Sequence, residues 1–439
     1  MIPVPTKIQY FKNPENIYKN IYPIRRDVGG RRSPDTSVVM SEGRRPGDIE
    51  NGREINVYKY VDCIFTGINL YYPNVLMSPG LVEEHLILPV IEKTMSLNQS
   101  TIYETPEYGM KYDFQLSEEY TTYEEPVFFF VYNTDNYFHF LYDSLPYLIS
   151  FLNIRQEIPN IKLLMQYPNS QKREFYPFVL EFLEILGIKM SDIILINDKT
   201  RYNSVYISTS YTHDIDSNLP PRKEIYDFYR QMADDVVRMY ISVPTPPKIY
   251  VSRRTYIHNK LDNIGTNYTT RRRLVNEDEL VSVLSKQGFV EVFTENLTTI
   301  EKILYFANAT HVVGAIGGGI SNVLFSPKTT KLEAIVSPTF LDVNKRFRYS
   351  LDCVDVVYNH NTKHVEEGEY KRYMRVKQKD GEILGEIEEV REHTVIVSYQ
   401  EGFHTGWNSQ MKYKQIEFKK EDIISLDKGL NSPYTVMIR

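Results

Sequence analysis

The sequence predicts an α/β fold: two Rossmann-like halves joined by a short linker, followed by a small β-rich module. Three observations carry that expectation. From Val127 onward, short apolar runs alternate with stretches whose apolar residues recur at helical spacing, as in βαβ units around a parallel sheet. The segment VPTPP, residues 243–247, places three prolines in five residues, which excludes helix and favours an extended linker. Past Ser350 the pattern changes to short alternating segments separated by Gly and Asp turns, as in an antiparallel sheet.

In chain order, residues 1–60 come first and carry no such pattern. RRDVGGRRSPDTSVV and EGRRPGDIENGRE mix Gly, Pro and Arg without helical or strand period, so an irregular arm is expected, either a solvated linker or a contact for an acceptor. Residues 61–243 form the first half. VFFFVY reads as a strand, NTDN as a turn and YFHFLYDSLPYLISFLNI as a helix; IKLLMQ is a strand, and REFYPFVLEFLEILG is a helix ending at Gly187. DIILIND and VYISTSY are further strands, and KEIYDFYRQMADDVVRMYI is a long helix. Residues 244–350 form the second half: strand KIYVSRR, helix NEDELVSVLSKQG, strand FVEVFT, helix TTIEKILYFANA, strand HVVGAI, a glycine loop and strand KLEAIV. Residues 351–439, with YMRVKQKDG, EILGEIEEV, HTVIVSYQEG and KQIEFKKEDIISLD, form the β-rich module.

Composition narrows the function classes. The 439 residues carry 51 Lys and Arg against 57 Asp and Glu, a net charge of −6, which argues against a surface that binds nucleic acid. At 42% hydrophobic and 25% charged, the chain is neither collagenous, disordered nor membrane-embedded. Its two cysteines, Cys63 and Cys353, make no bridging framework and have no neighbours at metal-ligand spacing. The N-terminus lacks the layout of a signal peptide, and no apolar run nears the ~20 residues of a transmembrane segment. A cytoplasmic protein is therefore expected, in which the sequons at Asn98, Asn267, Asn296 and Asn308 are chance matches.

Four constellations could carry chemistry. His139 and Asp143 lie four apart on a predicted helix and share a face, an imidazole and carboxylate available for proton transfer or a satisfied core pair. Pro146 removes a helical hydrogen bond to the Tyr142 carbonyl and should kink the helix there. In residues 248–273 seven basic side chains, Arg253, Arg254 and Arg272 among them, face the single acid Asp262, a local balance of +6. Arg253 and Arg254 end a strand at the carboxyl edge of the predicted sheet, where an anionic ligand would sit; surface solvation is the other reading. Asn276 reads as an N-cap with Glu279 completing a capping box, a device repeated by Thr298 and Glu301. Glu277 is then a partner of the helix dipole or a ligand contact. Gly314, Gly317, Gly318 and Gly319 follow a strand and lead to Ser321 and Asn322, offering amides to a phosphate or making a tight turn. The dinucleotide fingerprint fails there, because Asn322 stands where its third small residue belongs, and no Walker lysine follows. Asp214 and Asp216 form an Asp-x-Asp that could hold a divalent metal or lie in a solvated loop.

Taken in order, NYFHFLYDSLP, IYVSRR, RRLVNEDELVSVLSKQGFVEV and LTTIEKILYFANATHVVGAIGGGISNVLF, with the strand of Glu333, resemble glycosyltransferase family 61 over residues 128–336. The resemblance implies a two-domain GT-B fold with a cleft between the halves, and a nucleotide-sugar donor, usually a UDP-sugar. It also implies transfer to a glycan or polysaccharide acceptor with inversion. On the matched positions Asp143, or the His139–Asp143 pair acting together, is the base. Arg253, Arg254, Arg272, Asn276, Glu277, the glycine loop and Asn322 form the donor pocket, and Glu333, ending its strand, holds the ribose. Basic side chains and loop amides would then do a metal's work on the leaving diphosphate, and no cofactor is implied. One departure stands out: the family usually has His where this chain has Ile316, so a donor contact is lost or the donor differs. A non-catalytic nucleotide-sugar or glycan-binding protein is the alternative.

Overall fold

The computed structural model describes residues 17–22, 55–68, 72–77, 88–89, 119–130, 137–167, 174–197, 199–209, 211–212, 222, 224–254, 274–335, 347, 350–357, 363–364, 369–372, 374–381, 383–401, 412–426 and 434–435. The molecule is a mixed α/β protein with parallel and antiparallel sheets. It divides into two compact units, Met1–Phe175 with Val179–Phe228, and Tyr176–Phe178 with Tyr229–Arg439.

In the first unit, β1 (Ile17–Tyr22), β2 (Ile55–Ile68), β3 (Tyr72–Met77), β4 (Leu88–Pro89), β5 (Thr121–Tyr123), β6 (Val127–Phe129), β7 (Lys162–Met165), β8 (Ile193–Leu195) and β9 (Thr200–Ser208) share one sheet. Its order is β4-β3-β2-β9-β6-β7-β8, with β1 beside β2 and β5 beside β9. The strands from β5 to β9 pair in parallel, whereas β1 to β4 pair antiparallel. Val127, Phe128 and Phe129 are all fully buried, as a central parallel strand covered on both faces requires. Helices α1 (Tyr147–Glu157) and α2 (Pro177–Ile185) follow β6 and β7. The expected end of α2 at Gly187 is a Schellman turn. Gly187 takes φ +70° and donates to Glu184 O at 2.9 Å, while Ile188 N–H donates to Leu183 O at 2.8 Å.

The irregular arm expected over residues 1–60 needs correcting at Ile17–Tyr22 and again at residues 55–60, which open β2 and pair with β9. Ile17–Tyr22 pairs antiparallel with the start of β2, Ile17 opposite Tyr58 and Tyr22 opposite Ile55. Lys19 Nζ donates to Asn153 Oδ1 at 2.6 Å and pairs with Glu157, so a long-range partner supplies the order that the local pattern lacks. The arginine-rich stretches of the arm, and the NTDN turn, lie outside the described residues.

Helix α3 (Glu224–Met239) crosses from one unit to the other, so the division falls before the proline segment at residues 243–247. Tyr229 meets the Phe325 ring edge-on at 5.4 Å and Arg230 donates to Ser350 O, which ties the second part of α3 into the second unit. That unit continues with β10 (Lys248–Val251), α4 (Glu277–Lys286), β11 (Val290–Val292), α5 (Thr299–Asn308), β12 (His311–Ala315), β13 (Lys331–Ile335) and β14 (Cys353–Val357). All five strands are parallel, in the order β11-β10-β12-β13-β14. Strand β14 thus belongs to this sheet, which corrects the expected start of the C-terminal module at residue 351. Tyr250, Leu280, Leu284, Phe289, Val313 and Ile335 form its core against α4.

The remaining strands are β15 (Lys363–His364), β16 (Arg375–Gln378), β17 (Leu384–Val390), β18 (Thr394–Glu401), β19 (Lys412–Lys419), β20 (Ile423–Ser425) and β21 (Tyr434–Thr435). Strands β16 to β20 form an antiparallel sheet ordered β19-β18-β17-β16-β20, and β15 pairs with β21. Its core is Met374, Val376, Ile387, Val395, Val397, Phe418 and Ile423, with Val275 and Tyr370 packed against it. Among the described residues no helix is long and apolar enough to cross a membrane.

Candidate functional site

The second sheet has a topological switch point. The chain leaves β10 to one side for β11 and returns across it to β12, whose own connection runs to the other side toward β13, the arrangement at whose carboxyl edge open α/β sheets bind ligands. Residues 252–254 leave β10 at that edge, and the glycine loop, residues 316–319, leaves β12 beside it, Val251 being paired with Gly314.

The two loops lock together. Arg253 Nη1 donates to Ile316 O at 3.2 Å. A Cβ on Gly317 would lie 2.2 Å from Arg253 Nη1, so glycine is what admits the guanidinium. At Gly319 a Cβ would lie 2.6 Å from Thr294 Oγ1 and 2.8 Å from Val251 Cγ1, a close approach that packing alone requires. The short helix expected after the loop is a 3-10 turn, Ile320–Phe325. Ser321 Oγ donates to Gly318 O and Asn322 Nδ2 to Gly319 O at 2.8 Å, both residues being fully buried. These contacts fasten the loop to its own helical turn.

Glu277 is 1% exposed and lies beneath the same edge. Its Oε1 accepts from Tyr250 OH at 2.8 Å, Ser252 Oγ at 3.2 Å and the Arg253 N–H at 2.8 Å. Its Oε2 has no hydrogen-bond partner among the described residues. Burial pushes the carboxyl above its ordinary value, against the pull of the Arg253 amide, Tyr250 and Ser252. A buried acceptor without a donor costs about 1–3 kcal/mol, more if charged, so this oxygen is the unusual feature of the site. The capping box expected at Asn276 does not form: Asn276 occupies the N-cap at φ −101° and ψ 32°, outside the extended region, and its side chain makes no capping bond. The box at Thr298 and Glu301 does, with Glu301 N–H donating to Thr298 Oγ1 at 3.2 Å and Thr298 N–H to Glu301 Oε2 at 2.8 Å.

Two expected donor residues are committed elsewhere. Arg254 forks onto Glu291, Nε to Oε1 at 2.8 Å and Nη2 to Oε2 at 2.5 Å, while Nη1 donates to Asp278 Oδ1 at 2.6 Å. Glu333 does not end its strand. It stands mid-β13 opposite Val313, and its Oε1 lies 2.9 Å from His311 Nε2 and accepts from Lys331 Nζ at 2.6 Å. His311 and Lys331 open β12 and β13, so the carboxylate is drawn toward the amino-terminal edge of the sheet, away from the carboxyl edge. Burial raises Glu333, but Lys331 and His311 outweigh it and hold the carboxyl below its usual value. Arg272, Asp214 and Asp216 lie outside the described residues, and among those described no three His, Cys, Asp or Glu are grouped to hold a metal.

In the first unit the chain after β6 makes one α-helical turn, Tyr137–His139, then a π-helical turn, Phe140–Ser144, before α1 starts. Pro146 cannot donate to Tyr142 O, and the regular ladder gives way here: Leu145 N–H donates to Phe140 O, five residues back, at 2.8 Å. His139 Nδ1 lies 2.7 Å from Asp143 Oδ2, and Thr212 Oγ1 donates to Oδ1 at 3.3 Å. The Asp143 side chain is fully buried, whereas that of His139 is 25% exposed. An ionised carboxylate at Nδ1 fixes the proton there and makes Nε2 the basic nitrogen.

Tyr250, Ser252 and Thr212 were not among the expected site residues. Tyr250 in β10 and Ser252 just past its end are two apart and both donate to Glu277, so polar groups at period two at a buried strand end were the available signal.

This unit is an α/β domain built on an open parallel sheet, with an arginine, a glycine loop and a buried carboxylate at its switch point. Residues 137–332 match the family model Glycosyltransferase 61, which begins just ahead of His139 and closes just before Glu333. The match agrees with the resemblance of the sequence and points to glycosyltransferase activity, with a sugar donor and an acceptor as partners. No curated protein matches the chain.

Proposed function

We propose that the protein is an inverting glycosyltransferase that moves a sugar from a UDP-sugar to a glycan or polysaccharide acceptor. The observation that carries this reading is the convergence of Arg253, the glycine loop and the half-satisfied Glu277 at the switch point of the second sheet. Arg253 and the loop amides meet the diphosphate, where negative charge grows as the bond to the sugar breaks. Glu277 Oε2 takes an N–H or O–H of the nucleoside. Because these groups supply the positive field, turnover is expected to persist in EDTA.

The first unit supplies the base. Both Asp143 oxygens are engaged and its side chain is buried, so His139 Nε2 accepts the proton of the attacking hydroxyl while Asp143 orients the ring and stabilises the imidazolium. The acceptor oxygen bonds to the anomeric carbon from the face opposite the diphosphate, which leaves with the bonding pair. Asp143→Asn and His139→Gln should each lower kcat by about 10²–10⁴-fold, with UDP affinity unchanged; wild-type turnover in both would remove the pair from the chemistry.

Ile316 favours a second reading, a non-catalytic nucleotide-sugar or glycan-binding protein. Its apolar side chain is buried, and its carbonyl accepts from Arg253. Screening UDP-sugars against glycan acceptors decides between the two, since measured transfer excludes the second.

A further inference from the structure

The C-terminal module carries a groove of about 610 Å³ with no part in the chemistry above. That volume lies within the ~300–1,000 Å³ usual for small-ligand sites. We propose that this groove binds the acceptor as a neutral oligosaccharide chain, several sugars from its reacting end; the acceptor role rests on the glycosyltransferase reading, the sugar binding does not.

The lining chemistry selects the ligand class. Lys371 and Arg372 stand with Glu388 and Glu389, two cations against two anions, so neither a polyanion nor a polycation is favoured. Guanidinium, carboxylates and the Gln415 amide are planar groups that take neighbouring hydroxyls in pairs. Several are already oriented: Gln415 Nε2 donates to Glu388 Oε2, and Arg391 Nε holds Glu389 Oε1 at 2.9 Å. Tyr370, Val275 and Ile396 supply the apolar surface that the C–H face of a sugar ring covers. Tyr370 is fixed through its hydroxyl, which donates to Ile423 O at 2.9 Å. Glu389, Val390 and Gln415 are exposed, so the groove is open and suits a chain that continues beyond it.

Its position links it to the donor site. Val275 lines the groove, packs on the core of the module and precedes Glu277 by two residues, a span of at most ~7 Å. Asp278 then bridges the two, accepting from Arg372 of the groove at Oδ2 and from Arg254, which follows β10, at Oδ1.

The test uses the full chain without nucleotide, against immobilised neutral gluco-, xylo- and manno-oligosaccharides of two to six units. Binding that strengthens with chain length is expected. The double variant Gln415→Ala, Glu389→Ala changes two exposed side chains and should weaken it by about ten-fold or more, with an unchanged UDP-induced rise in Tm. Absence of binding to every sugar, or binding that the double variant leaves intact, overturns the proposal. UDP stabilisation is read separately, so failure of the donor reading shows as a missing Tm rise while sugar binding persists.

Discussion

Glu277 is held at one oxygen and has no partner at the other among the described residues, which separates its structural role from a role in binding. Burial raises its pKa in the folded protein, so N binds this proton more tightly than U. The stability it contributes is therefore largest at low pH and falls as pH rises from the unfolded value, about 4.3, through the raised one. At neutral pH its ionisation is a net cost. Glu277→Gln keeps a carbonyl for Tyr250, Ser252 and the Arg253 amide and removes the charge. The variant should show an equal or higher Tm at pH 7, with any advantage shrinking as pH falls. A UDP-sugar should bind about 10–100-fold more weakly, the loss of a hydrogen bond to a charged group of about 1.5–3 kcal/mol. Lower Tm with unchanged affinity would mark Glu277 as purely structural. Arg253 and Arg254 make the same point: adjacent and identical in type, one stands at the glycine loop and the other is clamped by Glu291 and Asp278.

At the level of elements, the loop after β12 combines two kinds of glycine that substitution can tell apart. Alanine at Gly317 meets the tip of the Arg253 side chain, which can swing aside, so stability should change little while UDP binding weakens by about ten-fold, the loss of one charge-assisted contact. Alanine at Gly319 meets Thr294 and Val251, β-branched and packed, and should cost about 1–3 kcal/mol of stability by overpacking. Urea unfolding and nucleotide titration on both variants check the pair; equal stability losses would contradict the distinction. The same elements show what a sequence discloses. Helices α4 and α5 were legible from apolar period and end signals, because those are local; Gly288 closes α4 at φ +85°, with Phe289 N–H donating to Leu284 O at 3.1 Å. The Asn276 and Thr298 patterns look alike, yet only Thr298 caps, and beside Asn276 the carboxylate of Glu277 is drawn under β10. Strands β1 to β5 and β14 were not read from the sequence, because their order comes from tertiary pairing, β1 on β2, β2 and β5 on β9, and β14 on β13. Arg253 and the glycines were legible as loop residues after strands. The strand order that makes them a switch point was not, and Glu333 was misplaced because an apolar run does not show where its strand stops.

Across the whole molecule, the net charge of −6 conceals the stretch of +6 at residues 248–273, and the rest of the chain carries −12. The structure shows that this positive charge is not all available to a ligand, since Arg254 is neutralised by Glu291 and Asp278. Among the described residues of that stretch Arg253 stands at the glycine loop, and that sheet edge belongs wholly to the second unit, whereas His139 and Asp143 belong to the first. Nucleotide binding should therefore leave a localised trace. A ligand that binds only the folded state adds RT ln(1 + [L]/Kd), about 2.7 kcal/mol at a hundredfold excess over Kd. Local opening of the segments that touch it is suppressed by up to that amount. In hydrogen exchange with saturating UDP, protection should rise in peptides covering residues 248–254, 274–280 and 312–325. Peptides covering residues 137–147 should exchange as in the free protein, because the base contacts the acceptor and not the nucleotide. Protection that rises around His139 and Asp143 and not around Arg253 would transfer the nucleotide to the first unit, and with it the assignment of donor and acceptor sides.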